Sequence, residues 1–276
     1  MATLTEEAQA QAPTQIMTKP EMEVQTQTGT DTETETKMEA QISEVTIGRK
    51  EYLPHTIPLL VRAFTDDAIF KYIMVGLATE EARLRCLRIF IRALIKGAVL
   101  NDGLIFEMAE WGCCAVLMPP GRKFDNPATA LRAGLLGMVA AVGGRGVKHM
   151  LEHGAAVKKA KQKAFPDRKQ VASASYWYLF FLATDPSRQR QGLGGLMLEH
   201  VKDYITMRQS DAEKKHLPLW LEASSEGSRN LYSRHGFEDV EELTLGVGVV
   251  GEDGVAKKGG EGVKTWGMVW RPDGKV

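Results

Sequence analysis

The chain has 276 residues, 35 of them basic and 35 acidic, so its formal charge at neutral pH balances. That balance lacks the basic excess of a nucleic-acid-binding protein, and no uninterrupted apolar stretch reaches the roughly 18 residues a membrane-spanning helix needs. Hydrophobic content of 43% and charged content of 25% suit a soluble globular domain with additions. Cys86, Cys113 and Cys114 form no CxxC pair and sit in apolar surroundings, which fits structural thiols in a reducing compartment.

Residues 1–41 are poor in aromatics and rich in Thr, Gln and Glu, with no hydrophobic period between Thr26 and Lys37. Such a segment cannot bury enough apolar surface to offset its ordering entropy, so it is expected to be disordered. It lacks the apolar core of a signal peptide and is too acidic for a transit peptide, so the expected location is cytoplasmic, with the nucleus as the alternative. The folded domain is expected to run over 42–276.

Val45 and Ile47 suggest a first strand, and Pro58 the first turn of a helix carrying Leu60, Val61 and Phe64. Thr79 is a cap, with Glu80 and Glu81 in the turn it opens. Leu84, Leu87, Ile91, Leu94, Ile95 and Ala98 then repeat at helical spacing as a core-facing stripe. Asn101-Asp102-Gly103 is a turn, and Leu104–Met108 with Gly112–Met118 read as a hairpin that Pro119-Pro120-Gly121 stops.

Residues 122–170 read as an insertion on the substrate side. It contains an apolar helix over Leu131–Val142 and a polar one over Val147–Ala164 whose basic run is expected to be a solvated face. His149-Met150-Leu151-Glu152-His153 matches the HxxEH pattern, in which two histidines one turn apart bind zinc. No downstream helix offers a third ligand and Gly154 follows at once. The competing reading is a pair of exposed histidines on a polar helix, and no metal is expected.

Both alternating sets of Tyr176–Ala183 are apolar, the mark of a central strand with layers on each side. Asp185-Pro186 ends it, and a basic turn with Arg188 and Arg190 leads to Gly192, Gly194 and Gly195. Leu193, Met197, Val201, Tyr204 and Ile205 then open a helix. Strand, glycine-rich turn and helix start together make an anion site. The Gly-Lys-Ser/Thr of a nucleotide P-loop is absent, and Met197 stands where a dinucleotide fingerprint needs its third glycine. What remains is Gln189-Arg190-Gln191-Gly192-Leu193-Gly194, a Q/R-x-x-G-x-G/A pattern.

Leu217–Ala223 reads as a strand, and Ser225–Phe237 as a short helix with Gly236 just past its end. Leu243–Val250 is expected to continue the sheet, Gly251–Val263 to loop, and Thr265–Trp270 to close it.

The pattern at 189–194 resembles the acetyl-CoA pyrophosphate loop of the GNAT N-acetyltransferase superfamily. Leu221-Glu222-Ala223-Ser224, then Tyr232-x-x-x-Gly236-Phe237, then Thr265-Trp266-Gly267-Met268, are similar to the puromycin N-acetyltransferase-like fungal acetyltransferases. The likeness runs from about Tyr176 to Pro272; before it, element order and Ala63-Phe64 agree more weakly.

The resemblance implies an α/β (α+β) GNAT fold, a twisted mixed sheet splayed between 176–183 and 217–223 with helices on both faces. It implies that the pantetheine arm of acetyl-CoA pairs with the backbone of Leu182, Ala183 and Thr184. The pyrophosphate would rest on the motif from Gln189 through the amides of Arg190, Gln191, Gly192, Leu193, Gly194 and Gly195. Ser228 stands where relatives often carry a cofactor-holding asparagine. Tyr232 would protonate the leaving sulfur, its plainer reading being a core tyrosine. Glu222 would be the base or the anchor of a small-molecule amine, unless it only pairs with an arginine or a helix N-terminus; Glu107 and Glu110 are rival bases. The alternative functions are a non-catalytic CoA-binding module of the same fold and, from the HxxEH segment, a zinc peptidase.

Overall fold

A computed structural model describes residues 44–165, 167–210, 216–272 and 274. The tail expected to be disordered, 1–41, lies outside these residues. The described strands are Val45–Gly48 (β1), Leu104–Met108 (β2), Cys113–Met118 (β3), Trp177–Thr184 (β4), Leu219–Ala223 (β5), Glu238–Leu245 (β6) and Val263–Trp270 (β7). They form one mixed sheet in the order β1-β2-β3-β4-β5-β7-β6. Only β4 and β5 run parallel; the other neighbours are antiparallel.

The helices are Leu53–Ala63 (α1), Ala68–Ile73 (α2), Glu80–Leu100 (α3), Pro127–Ala133 (α4), Leu135–Ala164 (α5), Arg168–Ala172 (α6), Leu193–Ser210 (α7) and Glu226–Arg234 (α8). They cover both faces of the sheet. On one face Leu59 and Leu60 of α1 and Leu87, Ile91 and Ile95 of α3 pack on Val116, Phe181 and Ala183. On the other, Met197, Val201 and Ile205 of α7 pack on Phe106, Leu117, Leu179, Leu221 and Met268. The capping oxygen of Thr79 accepts from Ala82 N, so α3 begins where its cap and acidic first turn say it should.

Four expectations need correction. Helix α1 starts at Leu53, so Pro54 occupies the first turn and Pro58 falls inside the helix. A proline is tolerated at the start because that N–H has no helical acceptor anyway. Strand β6 ends at Leu245, not Val250: Gly246 turns the chain with φ +70°, and Val250 makes only an isolated bridge to Ala256. The insertion's helices are divided differently. Gly134, φ +90°, separates α4 from α5, and α5 is interrupted at Gly143, φ 67° and ψ 177°.

The fourth correction concerns the central strand. Val116 pairs with Phe181 but Leu117 pairs with Leu179, so Phe180 is bulged out of the β3–β4 ladder. A bulge adds one residue and breaks the alternation of faces. Trp177 and Leu179 therefore face α7, whereas Phe181 and Ala183 face α1 and α3. The sequence alternation put all four on one face.

Candidate active site

Strand β5 accompanies β4 for only two pairs, Trp177 with Leu219 and Tyr178 with Trp220. Beyond them the strands diverge, and the expected splay opens as a cavity of about 1570 Å³. Leu182, Ala183 and Thr184 line it on the β4 side, Glu222 on the β5 side, and Gln189, Ser228 and Tyr232 around its rim. The insertion supplies the far wall through His153, Val157 and Lys161 of α5.

Of the predicted turn only Gln189 lines the cavity; Arg190 to Gly195 follow it in the chain and are not among the lining residues. Gly192 has φ +81°, a conformation that costs a side chain strain. Gly195 allows a close approach: a Cβ there would lie 2.8 Å from Nε2 of His235. A Cβ on Gly194 would sit 3.6 Å from the Thr184 hydroxyl, so the loop abuts the end of β4. The amides of Gly195 and Leu196 close back on the Gly192 carbonyl. Helix geometry thus leaves the Leu193 and Gly194 amides, not that of Gly195, pointing away from the helix start.

Arg188, in the basic turn before the glycines, is engaged away from them. Its guanidinium donates to the Ala109 carbonyl at 2.7 Å, which ties the turn to the β2–β3 hairpin. Asp185 tethers the turn from the other side. It accepts from Ser187 N and Oγ and from the Arg62 guanidinium of α1.

Tyr232 lies on α8, 7% exposed, with its ring 5.7 Å from that of Phe237. Burial, the nearby Cys113 thiol and Glu222 push its hydroxyl well above the ordinary tyrosine value, so it holds its proton. Ser225 and Ser228 cap α8 reciprocally, each side chain meeting the other's backbone N–H. Ser228 also donates to the Ser225 carbonyl, so its hydroxyl is engaged in the cap. Thr184 donates to Cys113 Sγ at 3.6 Å, and burial pushes that thiol up to about 11. Cys113 is thus a protonated, structural thiol.

Glu222 is the most heavily bonded of the predicted site residues. Oε2 accepts from Tyr178 Oη at 2.6 Å and Oε1 from Trp220 Nε1 at 2.6 Å. The Lys161 ammonium stands 3.4 Å from Oε1, both side chains being 12% exposed. Burial pushes this carboxyl up, but Lys161 and the two donors outweigh it and hold it below the usual value. Its partner is neither an arginine nor a helix N-terminus. A carboxylate so held is poorly matched to taking up a proton at neutral pH.

Lys161 corrects the reading of the basic run as a solvated face. The signal was available as spacing: His153, Val157 and Lys161 lie four residues apart on one ridge of α5. Asp67 was also missed. Its Oδ1 accepts from Ile69 and Phe70 N at the start of α2, and it lines the same cavity. Glu107 faces elsewhere, accepting from Thr46 Oγ1 and Trp111 N.

The HxxEH segment is a docking contact. His149, 5% exposed, donates from Nδ1 to the Tyr72 carbonyl at 2.9 Å and stacks on the Tyr72 ring at 4.3 Å. Glu152 accepts from Tyr72 Oη at 2.6 Å. These are not exposed histidines, and among the described residues no group of three His, Cys, Asp or Glu side chains is placed to hold a metal.

The closing strand has its own reasons. Thr265 Oγ1 donates to the Ala223 carbonyl at 2.6 Å, fixing the end of β5. Gly267 lies under Trp220, the donor to Glu222.

Residues 137–239 match the family model of the acetyltransferase (GNAT) domain. An uncharacterized N-acetyltransferase of Schizosaccharomyces pombe is 25% identical over 179 residues, 64% of this chain and 67% of the relative. A Saccharomyces cerevisiae protein named for increased recombination centers is 31% identical over 98 residues, 36% of this chain and 59% of that relative. Among solved structures, a mosquito protein from Aedes aegypti described as an arylalkylamine N-acetyltransferase aligns with a TM-score of 0.52 at 14% identity, covering 82% of this chain and 86% of the other. The mixed seven-stranded sheet is the fold of that N-acetyltransferase structure, and residues 137–239, which include the central strand, the glycine turn and Tyr232, are similar to the acetyltransferase (GNAT) domain.

Proposed function

We propose that this protein transfers an acetyl group from acetyl-CoA to the amine of a small molecule, directly, with both substrates bound. The observation that carries the reading is the convergence of the β4 edge, Glu222 and Tyr232 on one cavity, with the Gly192 turn beside it. The residues fit the acyl donor. The cleft between β4 and β5 suits an extended pantetheine arm paired along Leu182, Ala183 and Thr184. The turn offers the Leu193 and Gly194 amides and the positive end of α7 to a pyrophosphate, with Gln189, Arg190, Gln191, Gly192 and Gly195 shaping the approach. Ser228 acts through the α8 cap and lies at the rim.

Acetyl-CoA, when bound, supplies a thioester whose sulfur is the leaving group. The chain's own groups do the rest. Holding amine and thioester in line supplies much of the rate through proximity. A β4 backbone N–H faces the charge that develops on the carbonyl oxygen. Tyr232 gives its proton to the departing sulfur, and the proton that the nitrogen sheds as the amide forms returns to the Tyr232 oxygen through water. Glu222 orients the acceptor through its fixed carboxylate. A panel of amines incubated with protein and acetyl-CoA, read by release of free thiol, tests the proposal. Amine-dependent release supports it. Binding of acetyl-CoA with no release for any amine favours the non-catalytic module.

A further inference from the structure

The inner wall of the cavity has the composition of a cation cage. The rings of Tyr178, Tyr176 and Trp220 surround one point, with the Glu222 carboxylate beside it. Aromatic faces and a carboxylate together attract an ammonium. In this protein the point is already taken. The Lys161 Nζ lies 4.2 Å from the Tyr178 ring centroid, 5.4 Å from Tyr176 and 5.7 Å from Trp220. It is also the ion partner of Glu222 at 3.4 Å.

Asp125, Lys158, Arg168, Glu226 and Glu252 also line the cavity, and several of its other charges are committed to partners. Asp66 pairs with Lys71 at 2.9 Å, Arg122 with Asp102 at 3.0 Å, and Lys264 with Glu242 at 3.2 Å. Lys123 donates to the Ala172 carbonyl, and Asp67 is tied to two amides of α2 while burial pushes its carboxyl up. Much of the remaining wall is aromatic: Phe64, Phe70, Phe181 and Phe180, the last stacked on Phe124 at 4.4 Å.

We propose that Lys161 sets the acceptor specificity of this site, filling the cation slot of Glu222 and the three rings so that the site selects a weakly basic amine, uncharged at neutral pH, on an aromatic body. A strongly basic amine would bring a second positive charge against the Lys161 ammonium, and like charges in a desolvated contact disfavour the wrong ligand strongly. A neutral amine meets no such repulsion and already carries the lone pair needed for attack. This inference deepens the acetyl-transfer reading and rests on it for the identity of the site.

The test compares aniline, neutral at neutral pH, with putrescine, a doubly charged alkyl diamine, in the wild type, Lys161→Met and Lys161→Arg. Each protein is assayed for thiol release with acetyl-CoA and, separately, for amine binding by calorimetry. The wild type should prefer aniline in kcat/KM. Lys161→Met leaves Glu222 without its cation, so putrescine binding should tighten by about tenfold or more, and its kcat/KM should rise with it. Lys161→Arg keeps a charge in the slot and should retain the wild-type preference. If Lys161→Met does not fold, as judged by its melting curve, Lys161→Gln takes its place. A wild type that prefers putrescine, or a folded uncharged variant whose putrescine affinity is unchanged, overturns the inference. Absence of thiol release with the expected change in putrescine binding would sink the acetyl-transfer reading and leave the assignment of the slot standing.

Discussion

A Cβ placed on Gly267 would lie 2.6 Å from Cη2 of Trp220, across the ladder between β7 and β5. Trp220 in turn donates to Glu222. The absence of a side chain at 267 is therefore what lets the indole lie flat and reach the carboxylate. Gly267→Ala should lower stability by about 1–3 kcal/mol through overpacking. It should also alter Trp fluorescence, because the indole must move; an unchanged melting temperature and emission would show that the ring has room the structure does not give it.

Asp185 supplies a pH signature. Hydrogen bonds from Ser187, then the Arg62 guanidinium, lower its carboxyl to about 2 from an ordinary 3.8. A group whose folded value is depressed stabilises the protein above its unfolded value and loses that contribution as pH falls through the folded one. The contribution is thus complete above about pH 4 and fades towards pH 2. Asp185→Asn should cost about 1 kcal/mol near neutrality, the upper end for partly exposed ion pairs. Its stability should then lose less than the wild type's across that acid window. Parallel pH–stability curves for the two proteins would contradict the assignment.

Tyr232→Phe keeps the ring against Phe237 and removes the proton. If Tyr232 is the general acid, kcat should fall by about 10²–10⁴-fold. Acetyl-CoA affinity should hardly change, because the hydroxyl acts in the transition state. Equal turnover by mutant and wild type, with chemistry shown to be rate-limiting, would reduce Tyr232 to a packing residue.

The parts of the site that were legible in the sequence are local ones. Gln189 to Gly195 is one continuous turn-to-helix segment, in which Gly192 takes the left-handed conformation and Gly194 and Gly195 open the helix. Tyr232 lies on one short helix with Gly236 just past its end, and the alternation at Trp266, Met268 and Trp270 marked the last strand. What was not legible depends on contacts between distant segments. Lys161 reaches Glu222 from α5 to β5, and although its spacing from His153 and Val157 marks one ridge, that ridge does not by itself say which partner it meets. The Phe180 bulge exists only relative to β3, so the alternation in β4 could not reveal which face Phe181 takes. His149 and Glu152 fitted a metal motif because spacing alone does not say that Tyr72 will pack there and use both. Arg188 looked available to a phosphate for the same reason, until the Ala109 carbonyl claimed it.

The central claim is that the splay between β4 and β5, with the turn at 192–195, is an acetyl-CoA site. Calorimetric titration of acetyl-CoA into the wild type and Gly194→Asp tests it most directly. A Cβ at Gly194 meets Leu231 and Thr184 at only 3.4 and 3.6 Å, contacts the helix can accept, so the variant should fold. Its carboxylate would stand beside the Leu193 and Gly194 amides and repel a pyrophosphate. The expected result is one site in the wild type and none measurable in the folded variant. Equal affinity in the two proteins would put the cofactor somewhere other than this turn and contradict the account.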